Sequence, residues 1–209
     1  MVLQSSELKF SYPNTSEFDF PDIQLAPGES ALLLGPSGSG KSTLLNLLAG
    51  LIAPQKGSII INGTEMYGLK ERKKEQFRAA NIGLVFQRSF FLPYLSLHEN
   101  LLLASRYQGH KIKSSEINAL FEDLQIGHLS AKKPSECSLG EQQRASIARA
   151  LLQKPALILA DEPSSALDDG NANKVADLLL SLCEQYNSAL LVVTHDQRLK
   201  AKISKSYSL

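Results

Sequence analysis

Residues 32–50 read LLLGPSGSGKSTLLNLLAG: three leucines, a nine-residue polar loop rich in glycine and serine, then an immediate return to leucine at helical spacing. An apolar strand, a loop without bulk and a helix in direct succession leave the chain few options. The loop Gly35, Pro36, Ser37, Gly38, Ser39, Gly40, Lys41, Ser42, Thr43 satisfies G-x-x-x-x-G-K-[ST] between a strand and a helix, where that pattern has a mechanism. Its glycines let the backbone curl so that successive N–H groups face inward on an anion, and a helix starting near Lys41 adds its positive end. Such a loop cradles a nucleoside triphosphate. Lys41 is expected to reach the β- and γ-phosphates and the Ser42 hydroxyl to ligate Mg²⁺.

A second polar cluster ends the apolar run ALILADEP, where Asp161 and Glu162 sit together at a strand terminus and can both approach a site above a sheet. Asp161 is placed to hold Mg²⁺ directly or through water. Glu162 is then free to act as general base on an attacking water.

The rest of the chain frames these two clusters. ELKFSY and SEFDFPDIQL read as short β elements, APGES as a turn into the strand SALLLG, and KSTLLNLLAGL as a helix stopped by Pro54. GSIIING and NIGLVFQ are strands flanking a charged helix around LKERKKEQFRAA. From Ser96 to about Leu129 apolar residues recur at helical spacing, punctuated by Gly109, Gly127 and Pro134, which predicts a small helical lobe. SLGEQQRASIARALLQ is a helix, PALILADEP a strand, VADLLLSLCEQY a helix, SALLVVTHD a strand, and the tail a short helix with an edge strand. LILA and LLVVT are apolar without alternation, as strands of a parallel sheet covered on both faces must be. The expected fold is α/β: a doubly wound, mainly parallel sheet with a small β unit before it and an inserted helical unit, binding ligands at the carboxyl ends of its strands.

Bulk properties narrow the function classes. A chain of 209 residues, 43% hydrophobic, supports one good core. Net charge is +1 and the one basic run, Lys70 to Lys74, is interrupted by Glu71, so nucleic acid is not an expected partner. Cys137 and Cys183 match no metal spacing and fit free thiols in a reducing compartment. No stretch reaches the ~18 apolar residues of a membrane span, and MVLQSSELKF has no signal-peptide pattern. The reading is a soluble intracellular protein whose membrane spans, if it works at a membrane, belong to another polypeptide.

The loop alone also suits a nucleotide kinase, guanylate kinase carrying a very similar one. The remaining motifs decide. CSLGEQQRASIAR, residues 137–149, resembles the LSGGQ or LSGGE signature of ATP-binding cassette (ABC) ATPases with its QQR helix. Gln87 in GLVFQRSFFLP resembles that family's Q-loop, Ser164 to Asp169 (SSALDD) its D-loop, His195 in VVTHD its switch histidine, and Tyr12 its adenine-stacking aromatic, with Phe10 and Phe18 as alternatives. These motifs keep the family's order from Tyr12 to Asp196, so the resemblance spans nearly the whole chain. It implies a P-loop NTPase with an antiparallel β subdomain, a single ABC ATPase domain over 1–209, with 1–87 and 138–209 as the nucleotide-binding body and about 88–137 as the helical subdomain.

For the site, the resemblance implies catalytic roles for Glu162, His195, Gln87 and Lys41. Mg²⁺ would be held by Ser42, Gln87 and Asp161, and ATP by Tyr12, Gly35 to Thr43 and, from a second subunit, Ser138, Gly140, Glu141 and Asp168. Asp168 has the alternative of capping the helix that follows. His98, His110 and His128, in the helical lobe, are expected to be solvated. Implied partners are ATP, a second ABC ATPase subunit and an integral membrane permease, with the chain peripheral on the cytoplasmic face. VFQRSFFLPYLSLHENLLL further resembles the group whose partners drive lipoprotein release, macrolide efflux or cell-division signalling. Phe90-Phe91-Leu92-Pro93 either docks a partner helix or buries in the lobe. Two alternatives stay open: a nucleotide-gated switch in DNA repair or translation, and a nucleotide kinase. One departure stands out, Leu139 in place of the first signature glycine; Ser138 and Gly140 survive, so the signature is expected to work, with the isobutyl group at 139 its weakest point.

Overall fold

The computed structural model describes residues 1–13, 16–107, 112–165 and 167–209; Gly109 and His110 lie outside the described residues. The elements run β1 (Leu3–Phe10), β2 (Phe18–Asp19), β3 (Ile23–Leu25), β4 (Ser30–Leu34), α1 (Lys41–Leu48), β5 (Lys56–Ile61), β6 (Thr64–Glu65), α2 (Glu71–Asn81) and β7 (Ile82–Val85). They continue with α3 (Leu97–Tyr107), α4 (Ser114–Asp123), α5 (Leu139–Leu151), β8 (Leu157–Asp161), α6 (Asp169–Gln185), β9 (Ala189–Val193), α7 (Gln197–Lys202) and β10 (Lys205–Ser208).

Two five-stranded sheets organise them. In the first, β1 pairs antiparallel with β5 along one edge and with β2 and β3 along the other, and β6 extends it beyond β5. The second is parallel throughout, in the order β10-β4-β9-β8-β7. The uninterrupted apolar strands now have their explanation. Leu32, Ile158, Ala160, Leu190 and Val192 face one hydrophobic cluster with residues of α3 to α7. Their strand neighbours Ala31, Leu33, Leu157, Leu159, Leu191 and Val193 face the other, with α1 and the antiparallel sheet. Period-2 alternation is present, but both faces are dry.

The helical segment is continuous with the main core: Leu97, Leu101, Ile117, Leu120 and Phe121 join Ala145, Ile147 and Ala148 of α5 in one cluster. Helix α1 stops at Leu48 rather than at Pro54, because Gly50 takes φ 67° just past the C-cap and closes the end. Among the described residues no helix is long and apolar enough to cross a membrane.

Candidate active site

The four inner and outer strands β4, β7, β8 and β9 all deliver a polar segment at their carboxyl ends, and these segments meet. After β4 comes the 35–43 loop, after β7 Gln87, at the end of β8 Asp161 and Glu162, and after β9 Thr194 and His195. Together they wall a cavity of about 590 Å³ that Ser37, Gly38, Gly40, Lys41, Ser42, Thr43, Gln87, Asp161, Glu162, Ser165, Val193, His195 and Phe18 line.

The loop is built for an anion. Gly40 is the N-cap of α1 at φ 97°, and no side chain caps the helix, so the first-turn N–H groups are left without a side-chain acceptor. Gly38 is at φ 81°, and the Ser39 hydroxyl is buried without a partner among the described residues. Lys41 folds back over the loop, its ammonium donating to the carbonyls of Gly35 (2.8 Å) and Pro36 (2.7 Å). That uses two of its three N–H donors and holds the charge over the cradle.

Ser42 Oγ donates to Asp161 Oδ2 at 3.0 Å across a sequence gap of 119 residues, bringing together two of the three expected Mg²⁺ ligands, and Gln87 lines the same cavity. Hard oxygen donors in a pair, with no larger cluster of His, Cys, Asp or Glu among the described residues, suit Mg²⁺, which takes one or two protein oxygens and fills its shell from phosphate and water.

Glu162 stands apart from its neighbours in backbone. It occupies the left-handed region, φ 45°, with its N–H donating to Val193 O at 2.8 Å. Its carboxylate receives the Thr194 hydroxyl at 3.2 Å and the His195 N–H at 3.4 Å, and His195 Nε2 lies 3.8 Å from Oε1. The His195 side chain is 63% exposed, the Glu162 side chain only 18%, so the imidazole faces the open mouth and the carboxylate the floor.

The chain carries a match to the ABC transporter family model over residues 19–165. It belongs to the ABC transporter family. Its ABC relatives include the lipoprotein-releasing system ATP-binding protein LolD of Hydrogenovibrio crunogenus, 43% identical, the alignment covering 100% of this chain and 94% of that protein. LolD of Porphyromonas gingivalis is 36% identical over 96% of this chain and 93% of its own. Among solved structures, the dimeric post-hydrolysis state of the ATP-binding cassette MJ0796 bound to ADP and Pi superposes with TM-score 0.88 at 28% identity, covering 99% of this chain and 94% of that one. The chain is accordingly an ATP-binding, ATP-hydrolysing ABC subunit.

The ABC signature lies outside the cavity. Ser138 is the N-cap of α5 and forms a capping box with Glu141: the Ser138 N–H and hydroxyl donate to Glu141 Oε2 at 2.7 and 2.9 Å, and the Glu141 N–H returns to Ser138 Oγ at 3.4 Å. The backbone N–H of Ser138, above all, holds the Glu141 carboxyl below the usual carboxylate range. Within one copy the Glu141 carboxylate is engaged by this cap. Gly140 is buried against Asn171, while Leu139, at the first helical position, is 61% exposed and leaves the box intact. Asp168 is likewise an N-cap, of α6, accepting from the Asn171 N–H at 3.1 Å.

Tyr12 sits edge-on to Phe10 at 4.8 Å and is 40% exposed, outside the residues lining the cavity, where Phe18 stands instead. In the 90–93 run Phe90 (65%) and Leu92 (51%) are exposed with nearby Tyr94 (86%), whereas Phe91 packs on the core under the Arg149 guanidinium. Phe91 thus buries, while Phe90 and Leu92 stay exposed. On the helical segment His98 is half-buried and His128 exposed.

Two polar residues lie inside the motifs QQR and VVTHD but carry no role that sequence alone assigns. Thr194, buried, holds Glu162. Gln143, buried in α5, donates to Phe86 O at 3.1 Å and accepts from Ser89 Oγ at 3.1 Å, bracketing Gln87 from both sides.

Proposed function

We propose that two copies of the chain close over ATP and Mg²⁺ and use hydrolysis to drive an integral membrane permease in lipoprotein release, from the cytoplasmic face of a membrane. The observation that carries the chemistry is the convergence of Lys41, Ser42, Asp161, Glu162 and His195 on one cavity. Support for the transported class comes from relatives named for lipoprotein release that align along nearly their whole length.

The loop N–H groups and Lys41 hold the phosphates, and Tyr12 stacks the adenine through its exposed ring. Ser42, Asp161 and Gln87 would hold Mg²⁺, which when bound supplies positive charge against the phosphate oxygens. Glu162 accepts the proton of a water aligned with the γ-phosphate, and His195 hydrogen-bonds that phosphate from the exposed side. Ser138 and Gly140 of the second copy cover the γ-phosphate, and Asp168 works across the same interface. Closure therefore needs the triphosphate, because only the γ-phosphate is gripped by both copies. The segment of about 88–137 acts as the helical subdomain that passes the motion on, with Phe90, Leu92 and Tyr94 as its permease-facing side chains.

The test is Glu162→Gln. With saturating ATP and Mg²⁺ it is expected to form a dimer by light scattering while turnover falls at least a hundredfold. A variant that hydrolyses at the native rate overturns the assignment of the base. Purification from membranes should bring a permease with the chain, and recovery on ribosomes or DNA instead would overturn the transport reading.

A further inference from the structure

Beyond β9 the chain places a buried hydroxyl where packing alone would accept valine. Thr194 is 1% exposed, and a hydroxyl so deeply buried is retained at a cost unless it is used. Here it is used twice: it donates to Glu162 Oε2 at 3.2 Å and accepts the Asp196 N–H at 3.0 Å. The Asp196 carboxylate in turn takes the Ser164 hydroxyl on Oδ2 at 2.7 Å and Arg198 Nε on Oδ1 at 2.8 Å. Arg198 Nη1 continues to Asp169 Oδ1 at 2.7 Å, at the first residue of α6. Thr194 thus ties the Glu162 carboxylate to the Asp196 backbone, and the Asp196 carboxylate ties that residue to Ser164 and, through Arg198, to Asp169.

The backbone of Glu162 is fixed by its bond to Val193, but that fixes neither the rotamer nor the carboxylate plane. Of the two donors that do reach the carboxylate, the Thr194 hydroxyl is nearer and shorter than the His195 N–H at 3.4 Å. We propose that Thr194 is a positioning residue that aims the Glu162 carboxylate at the attacking water, and that Asp196 keys this pair to the Ser164–Asp169 segment. This inference rests on the reading of Glu162 as the base. Thr194 does not line the cavity; it acts through Glu162, so it governs the chemical step and not binding.

The test uses the full chain with ATP and Mg²⁺ at a protein concentration where specific activity has levelled off. Thr194→Val, close in shape, is expected to lower kcat about tenfold while the Kd for a fluorescent ATP analogue stays within about twofold. Thr194→Ser, which keeps the hydroxyl, should return kcat to within about threefold of native, and Asp196→Asn should lower kcat with Kd unchanged. Native kcat in folded Thr194→Val overturns the inference, as does a parallel loss of kcat and affinity that serine does not rescue. Should the valine variant not fold, Thr194→Ala takes its place: native kcat in folded Thr194→Ala overturns the inference too. Glu162→Gln run alongside separates the two claims. Full activity in that variant sinks the base, whereas an inactive Glu162→Gln beside a fully active Thr194→Val sinks only the positioning role.

Discussion

At the scale of single residues, the site is bought with backbone conformations that most side chains avoid. Gly40 is at φ 97°, and a β-carbon there would lie 2.8 Å from the Phe18 ring and 3.1 Å from that of Phe20. Gly38 is at φ 81°, but a β-carbon would meet nothing within 4 Å. The two positions therefore separate conformational strain from overpacking. Gly38→Ala should cost about 1–2 kcal/mol from the left-handed backbone alone. Gly40→Ala adds an overpacking cost of about 1–3 kcal/mol against two aromatic rings. Thermal unfolding followed by circular dichroism should rank them, with Gly40→Ala melting several degrees lower. Glu162 carries similar strain at φ 45° with no glycine to relieve it. Glu162→Asn, a residue that tolerates this region, should melt at or above the native temperature while losing turnover. A lower melting point would show that the carboxylate stabilises the fold and is not merely tolerated by it.

At the scale of elements, helix α5 shows why some of the site was legible and some was not. Ser138-x-x-Glu141 is a capping box by spacing alone, and the structure makes both reciprocal bonds. The ABC resemblance singles out the same residues as nucleotide contacts across a dimer, and within one copy their local role is the cap. Ser138→Ala should cost about 1 kcal/mol through the lost cap, lowering Tm by about 2–4 °C, before any effect on closure. The pH dependence follows from the sign of the Glu141 shift. Its folded pKa is lowered by the Ser138 N–H, so its contribution is present above the ordinary carboxylate pKa and is lost as pH falls through the folded value. The Tm gap between the native chain and Glu141→Gln should be widest near pH 7 and close below about pH 4. The strands, α1, α2, α5 and α6 were readable because period and composition are local properties. Thr194 and Gln143 were not, because each meets partners 32 to 57 residues away, and a buried polar residue announces its partner only once the strands are side by side. The two-residue strand β6 was missed for want of any period to read.

At the scale of the whole molecule, one architectural fact organises the rest: a wholly parallel sheet sends the carboxyl ends of its strands to the same edge, and the phosphate loop, Gln87, the carboxylate pair and the histidine arrive there from four separate stretches of chain. The signature residues Ser138 and Gly140 do not line that cavity. On the proposed function a single copy holds the nucleotide-facing half of a reaction centre and offers Ser138 and Gly140 to the partner copy's half. The central claim is that the centre is complete only between two copies. The most direct measurement is specific ATPase activity against protein concentration, since a shared site makes turnover depend on association. The account predicts activity per chain that rises with concentration to a plateau and falls when Ser138 is replaced. Activity per chain that is constant from the most dilute sample upward, and indifferent to Ser138, would contradict it.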